Sequence, residues 1–189
     1  MLNTLAGIIA SSGGAAAGGD YESIATVTVG SGGSASIAFS SIPSTYQHLQ
    51  IRGITRSTST GSGTEASLVT FNSDSGTNYS YHTLRGDGSS ATATASTSTT
   101  FMVFWGSARA GDTASAFGGS VVDVLDYKDT NKYKTLRALG GIDTNTTVDY
   151  IVLSSGNWRS TSAVNAITIT CASGNFSQYS SFALYGIKG

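Results

Sequence analysis

Charged side chains are scarce in this chain of 189 residues. Asp, Glu, Lys and Arg make up only 11% of it, whereas glycine occurs 24 times and apolar residues reach 39%. A soluble monomer usually keeps about a quarter of its residues charged, which limits self-association. The abundant Ser, Thr and Gly instead allow neutral surfaces to pack closely together. The composition therefore indicates a subunit of an assembly first, and an enzyme only weakly.

Three further absences exclude other classes of protein. The formal net charge is −1, so the chain lacks the basic footprint that binding to nucleic acid or an anionic membrane requires. No stretch approaches the ~18 to 20 apolar residues of a membrane span. Cys171 is the only cysteine, which excludes an internal disulfide framework, and its apolar neighbours indicate a buried side chain. We expect neither nucleic acid nor membrane as a partner.

The first twenty residues differ from the rest. Residues 1–19 carry no charged side chain, and residues 11–19 are all Ser, Gly or Ala, which is the composition of a flexible linker. A disordered tail is one interpretation. We favour an attachment arm over residues 1–20, in which an apolar hook docks on a neighbouring subunit. The hook residues are Leu2, Leu5, Ile8 and Ile9.

From residue 21 to the end, apolar and polar side chains alternate with a period of two, which is typical of strands. Residues 24–29 read as a strand, 30–33 as a turn and 36–39 as the returning strand. Further strand candidates are 46–54, 67–71, 100–105, 119–125, 133–139, 148–153, 163–171 and 181–187. Turn signals occur at 74–76, 86–88, 140–141, 155–157 and 173–175.

This pattern predicts the fold class. No window carries a helical stripe, and there is no spacing for βαβ units. Residues 21–189 are therefore expected to form one all-β domain, an antiparallel two-sheet sandwich that resembles a jelly roll. Residues 89–99 are almost purely Ser, Ala and Thr, and both a long surface loop and a flat edge strand fit them.

The residues that could carry chemistry are few. His48 and His82 have no metal-ligating neighbour at suitable spacing, and no Gly-x-Ser-x-Gly motif accompanies the many serines. Residues 72–78 resemble the start of a calcium loop but lack its final Glu, so a plain turn is favoured. We predict no catalytic, cofactor-binding or metal site.

The acidic cluster of the chain is Asp123, Asp126 and Asp129. Paired carboxylates serve glycoside hydrolysis only when they face one cleft from different elements. Lysines at 128, 132 and 134 are close in sequence, so ordinary surface ion pairs are favoured here.

Aromatic residues near expected loops are the remaining candidates for contact. Tyr79, Tyr81 and Trp158 could contact a glycan or a protein partner. A place in the core is the first interpretation of such residues, a protein interface the second and glycan binding the third.

Four segments carry a resemblance to a known family. They are YESIATVTVGSGG (21–33), SIPSTYQHLQIR (41–52), NKYKT (131–135) and SGNFSQYSSFALYGIKG (173–189). Together they resemble small β-sandwich virion structural proteins of tailed bacteriophages of the marine and cyanobacterial type. The resemblance covers the chain from residue 21 and carries no catalytic motif.

The resemblance implies a virion structural protein that is made in the host cytoplasm and displayed on the virion surface. A capsid decoration or cement subunit is the leading expectation, with the major capsid protein as its partner. A tail- or baseplate-associated module that recognises host glycans is the alternative, and a carbohydrate-active enzyme ranks third. We expect a homo-oligomer, with a trimer as the favoured state.

Overall fold

The computed structural model describes residues 19–189, which are all-β and include no helix, so none of them forms a helix that could span a membrane. The expected fold class is confirmed at this level. The strands, numbered in chain order, are β1 (Tyr21–Thr28), β2 (Ser36–Phe39), β3 (His48–Arg56), β4 (Thr64–Phe71), β5 (Tyr79–Gly86), β6 (Ala91–Thr99), β7 (Met102–Ala108), β8 (Gly118–Leu125), β9 (Lys134–Ile142), β10 (Tyr150–Trp158), β11 (Ile167–Cys171) and β12 (Ser181–Ile187).

All these strands join one hydrogen-bonded sheet. The main path runs β2-β11-β4-β7-β3-β8-β9-β10-β5-β6, while β12 lies between β3 and β1. Pairing is antiparallel except between the ends of β3 and β7, where Thr55 aligns with Ser107 and Arg56 with Ala108. The sheet is therefore mixed, and it is not closed, because the path ends at β2 and β6.

The buried core draws on both halves of this path. Strand β7 contacts β8, β9 and β10, although it pairs with none of them. Fully or nearly fully buried aromatic and aliphatic side chains come from β4, β7, β3, β8 and β12, among them Phe71, Phe104, Leu49, Val122 and Phe182. Cys171 is also buried, as expected, and burial raises the pKa of its thiol to about 11.

Two of the predicted turns are wrong. Residues 140–141 lie inside β9, and residues 155–157 lie inside β10. A side chain at Gly140 would meet the carbonyl of Trp105, and one at Gly156 would meet Met102. These glycines are therefore needed where β7 crosses the two strands, and they do not reverse the chain.

Other differences concern pairing. Strand β2 does not return along β1 but pairs with β11, which aligns Ile37 with Ile169 and Phe39 with Ile167. This pairing places apolar side chains beside one another in the core. Strand β5 had not been predicted. The segment 89–99 contains strand β6, so a strand at the sheet edge is the correct alternative. Of the predicted attachment arm (residues 1–20), residues 1–18, which include the hook, lie outside the described residues.

Candidate interaction surface

Two of the three aromatic contact candidates are buried, so the first interpretation, a place in the core, is confirmed for them and a role in glycan or partner contact is wrong. Tyr79 is fully buried, and its hydroxyl donates to the carbonyl of Asp74 at 3.1 Å and accepts from the amide of Phe71 at 3.1 Å. Burial raises the Tyr79 pKa to about 12. Trp158 is only 3% exposed and stacks on Tyr79. Tyr81 is half-buried and stacks on Phe101.

Trp158 also fixes the turn that resembles the start of a calcium loop. Its indole nitrogen donates to the Asp74 carboxylate at 2.7 Å. That bond, with those from Asn78 and the Gly76 amide, lowers the pKa of Asp74. The carboxylate is thus occupied by protein donors, as in a plain turn. Within residues 19–189 no group of three or more His, Cys, Asp or Glu could hold a metal ion.

The acidic residues form the surface ion pairs expected of them, although the partners differ in part. Lys132 reaches Asp126 at 2.8 Å and Asp129 at 3.4 Å, and the Lys132 contact lowers the pKa of Asp126. Asp123 pairs instead with Arg137 of β9, at 2.9 Å.

The two histidines lie on different strands. His48 of β3 is half-buried, and its Nδ1 accepts a hydrogen bond from the amide of Asp126 at 2.9 Å. His82 of β5 is exposed. The Asp126 carboxylate also lies 3.6 Å from the Nδ1 of His48, but Lys132 and Gln47 already contact that carboxylate.

The most distinctive surface of the described chain is the side of β3, β8, β9, β10 and β5 that faces away from the core. Six aliphatic side chains on it are between 40% and 61% exposed. We call them the aliphatic patch: Ile54, Leu84, Val121, Leu139, Ile151 and Leu153. A monomer can expose single hydrophobic residues without consequence, but a contiguous group marks an interaction site.

Strand register makes the patch contiguous. Val121 is paired with Leu139, Leu139 with Leu153, and Leu153 with Leu84. Directly paired residues in antiparallel strands have Cβ atoms about 5 Å apart. These four side chains therefore form one apolar ladder across four strands.

A second ladder, two residues further along the strands, contains a hollow. It runs from Ile54 through Gly119 and Gly141 to Ile151. Two adjacent glycines leave a space between the two isoleucines, bordered by the first ladder. At Gly119 the nearest atom to an added Cβ is Ile54 Cδ1, at 3.9 Å, so packing within the molecule does not require glycine there.

A polar ladder borders the patch on its other side. Gln50 of β3 donates to Asp123 at 2.8 Å, Asp123 pairs with Arg137, and Ser155 and His82 continue the row. This order, an apolar centre with a polar rim, is the usual anatomy of a protein interface.

Arg52 completes the rim beside β12. Its guanidinium lies over the rings of Tyr21 and Tyr185, at 5.3 and 5.5 Å from their centroids, and these rings stack on each other. The Tyr21 hydroxyl donates to Gln50 at 2.5 Å. The rim is therefore held in place by contacts within the molecule.

Two short apolar runs in the sequence indicate this surface, although an analysis based on alternation with a period of two does not detect them. Residues 121–122 and 151–153 are consecutive apolar residues, so both sides of β8 and β10 carry apolar groups. Such runs are expected when both faces of a sheet are covered. The inner side is covered by β7, whereas in the described chain nothing covers the outer side.

Comparison of the chain with protein-family models found no match, and searches of curated proteins and of solved structures found none either.

Proposed function

We propose that the protein is a non-enzymatic structural subunit of a tailed-bacteriophage particle, displayed on the virion surface as a capsid decoration or cement protein. The observation that carries this proposal is the aliphatic patch with its polar rim. A particle subunit can keep such a patch covered by permanent contacts, whereas on a free monomer it would promote aggregation. The low charge of the whole chain supports the same conclusion.

The finer architecture belongs to the same proposal. Strands β2, β11, β4 and β7 would form one layer of a jelly-roll-like sandwich. Strands β3, β8, β9, β10, β5 and β6 would form the other, with β12 and β1 joined to it beside β3. Contacts of β7 across β8, β9 and β10 support this division.

The tail- or baseplate-associated module that recognises glycans is the weaker candidate. It relied on Tyr79, Tyr81 and Trp158, and burial withdraws the first and the last of these from solvent. The decoration role needs no exposed aromatic residue, only a face and an arm that contact neighbouring subunits.

Purified particles test the proposal directly. We expect mass spectrometry to find the chain in particles, and cryo-electron microscopy to place it on the capsid lattice with residues 1–18 against the major capsid protein. A chain without residues 1–18 should still fold but should fail to join particles that lack the protein. Density only at the tail would favour the alternative, and absence of the chain from purified particles would contradict both virion roles.

A further inference from the structure

We propose that the aliphatic patch is the contact through which two copies of this chain associate, face to face, about a two-fold axis. The inference rests on the proposed structural role and names the partner of the surface that carries it. It replaces the trimer expected from the sequence with a dimer, because the face is self-complementary. The proposed occupant of the patch is a second copy of the chain. The experiment distinguishes it from two other possible occupants, the N-terminal segment and a different protein.

The size of the face suits a dimer contact. With strands about 4.8 Å apart and alternate residues about 7 Å apart, the two apolar ladders cover roughly 24 Å by 14 Å. The polar ladder and the outer side of β6 extend the same face to roughly 29 Å by 20 Å, or about 600 Å² in projection. A standard interface uses about 800 Å² of accessible surface per partner, with an apolar core inside a polar rim.

The shape of the face is self-complementary. A two-fold contact places the same surface on both subunits, so that surface must offer both a projection and a space to receive it. Leu139, Leu153 and Ile151 project from the patch, and the hollow over Gly119 and Gly141 lies beside them. Strand glycines weaken a sheet and often mark the close approach of another chain. No close neighbour of Gly119 in its own molecule explains why this position lacks a side chain.

The charges around the patch do not oppose association of identical copies. The charged residues at its border are Arg52, Asp123, Arg137 and Asp143, two of each sign. Asp123 and Arg137 already form an ion pair within one copy. Two faces can therefore meet without burying an excess of like charge, which would otherwise be costly.

Sedimentation velocity of the full-length chain over the micromolar range tests the inference. We expect a reversible dimer. Leu139→Glu introduces a charge at the centre of the patch and should raise the dimer dissociation constant by about 30-fold or more, as at a central interface residue. Thr135→Glu is the matched control, because it adds the same charge to an exposed position on the same side of β9, outside the patch. It should leave the constant almost unchanged.

A second variant keeps the result independent of any folding defect in the first. Gly119→Val fills the hollow where a Cβ has free space, so it should keep the fold, as judged by circular dichroism, and still weaken the dimer. If both patch variants associate like the wild type, the inference is wrong.

Other outcomes identify other occupants. Loss of the dimer on deletion of residues 1–18 would show that this segment makes the contact, and a stable trimer would exclude two-fold pairing. A strictly monomeric wild type would also overturn the inference. None of these results bears on whether purified particles contain the chain, so failure of this inference and failure of the proposed function are separate observations.

Discussion

Lys134 shows how one side chain can hold two loops together. Its side chain is fully buried at the start of β9. The ammonium group donates to three backbone carbonyls, those of Asp129 at 2.5 Å, Lys132 at 2.7 Å and Thr161 at 3.2 Å. Burial lowers its pKa, while Asp129 and Asp126 oppose that effect. The residue is thus a structural tie between the loop before β9 and the loop after β10.

Replacing this lysine with methionine tests the tie. Lys134→Met keeps the length of the side chain but leaves three carbonyls without their donor, so we expect a loss of about 2 kcal/mol in the free energy of unfolding. Lys132→Met removes the same charge from an exposed ion pair and should cost less than about 1 kcal/mol. Urea unfolding at neutral pH measures both. Equal losses would show that burial of the ammonium group contributes nothing.

Among the strands, β7 places the strictest limit on the size of the residues that it crosses. It crosses β8, β9 and β10 at short range, and each of these strands carries glycine at the crossing: Gly118, Gly140 and Gly156. A Cβ at Gly118 would meet the carbonyl of Gly106, and one at Gly140 that of Trp105. Backbone atoms cannot move aside as the end of a flexible side chain can, so the absence of side chains here is a condition of the packing.

Adding a single methyl group at the crossing tests this element. Gly140→Ala should reduce the free energy of unfolding by about 2 kcal/mol, as overpacking of a core typically does. Gly30→Ala serves as the control, because a Cβ there meets nothing within 4 Å and Gly30 does not adopt a positive φ. Chemical denaturation of the two variants side by side gives the comparison. If Gly140→Ala left the free energy of unfolding unchanged, a side chain at the crossing of β7 and β9 would be tolerated and the glycine would not be required there.

At the scale of the molecule, the two ends of the described chain hold each other in the sheet. Strand β12 pairs with β1 on one side and β3 on the other, which aligns Tyr21 with Ile187 and Leu184 with Ile51. Phe182 and Leu184 are fully buried. Strand β12, the most C-terminal strand of the described residues, therefore completes the core, and contacts of such long sequence separation favour slow folding.

Truncation tests this arrangement. A chain that ends at residue 180 leaves β1 without a partner and removes two buried side chains, so we expect no cooperative unfolding transition by circular dichroism. A chain that begins at residue 19 keeps the twelve strands of the described residues, and its free energy of unfolding should match that of the 189-residue chain within about 0.5 kcal/mol. Cooperative unfolding of the first truncation would show that β12 is dispensable for the fold.

Local properties of the sequence predicted the fold class and many strands. Strands β2 and β12 have the predicted bounds, because alternation with a period of two and adjacent turn residues are read over a few positions. Strand β5 was missed because Tyr79 and Tyr81 were assigned to the neighbourhood of loops, although they alternate with Ser80 and His82. The position of β5 depends on pairing with two strands. Strand β10 lies far from it in the sequence, and β6 is a Ser, Ala and Thr segment without a distinct pattern.

The sequence by itself determined that residues 19–189 are all-β and that the chain is poor in charge, since these properties follow from local period and composition. The tertiary structure alone decided which glycines lie at a crossing, that Tyr79 and Trp158 are buried, and that Leu139 and Leu153 are exposed beside each other. The physical reason is that exposure depends on which strands cover a face. Strand β7 covers the inner side of β8, β9 and β10, and nothing in the described chain covers the outer side.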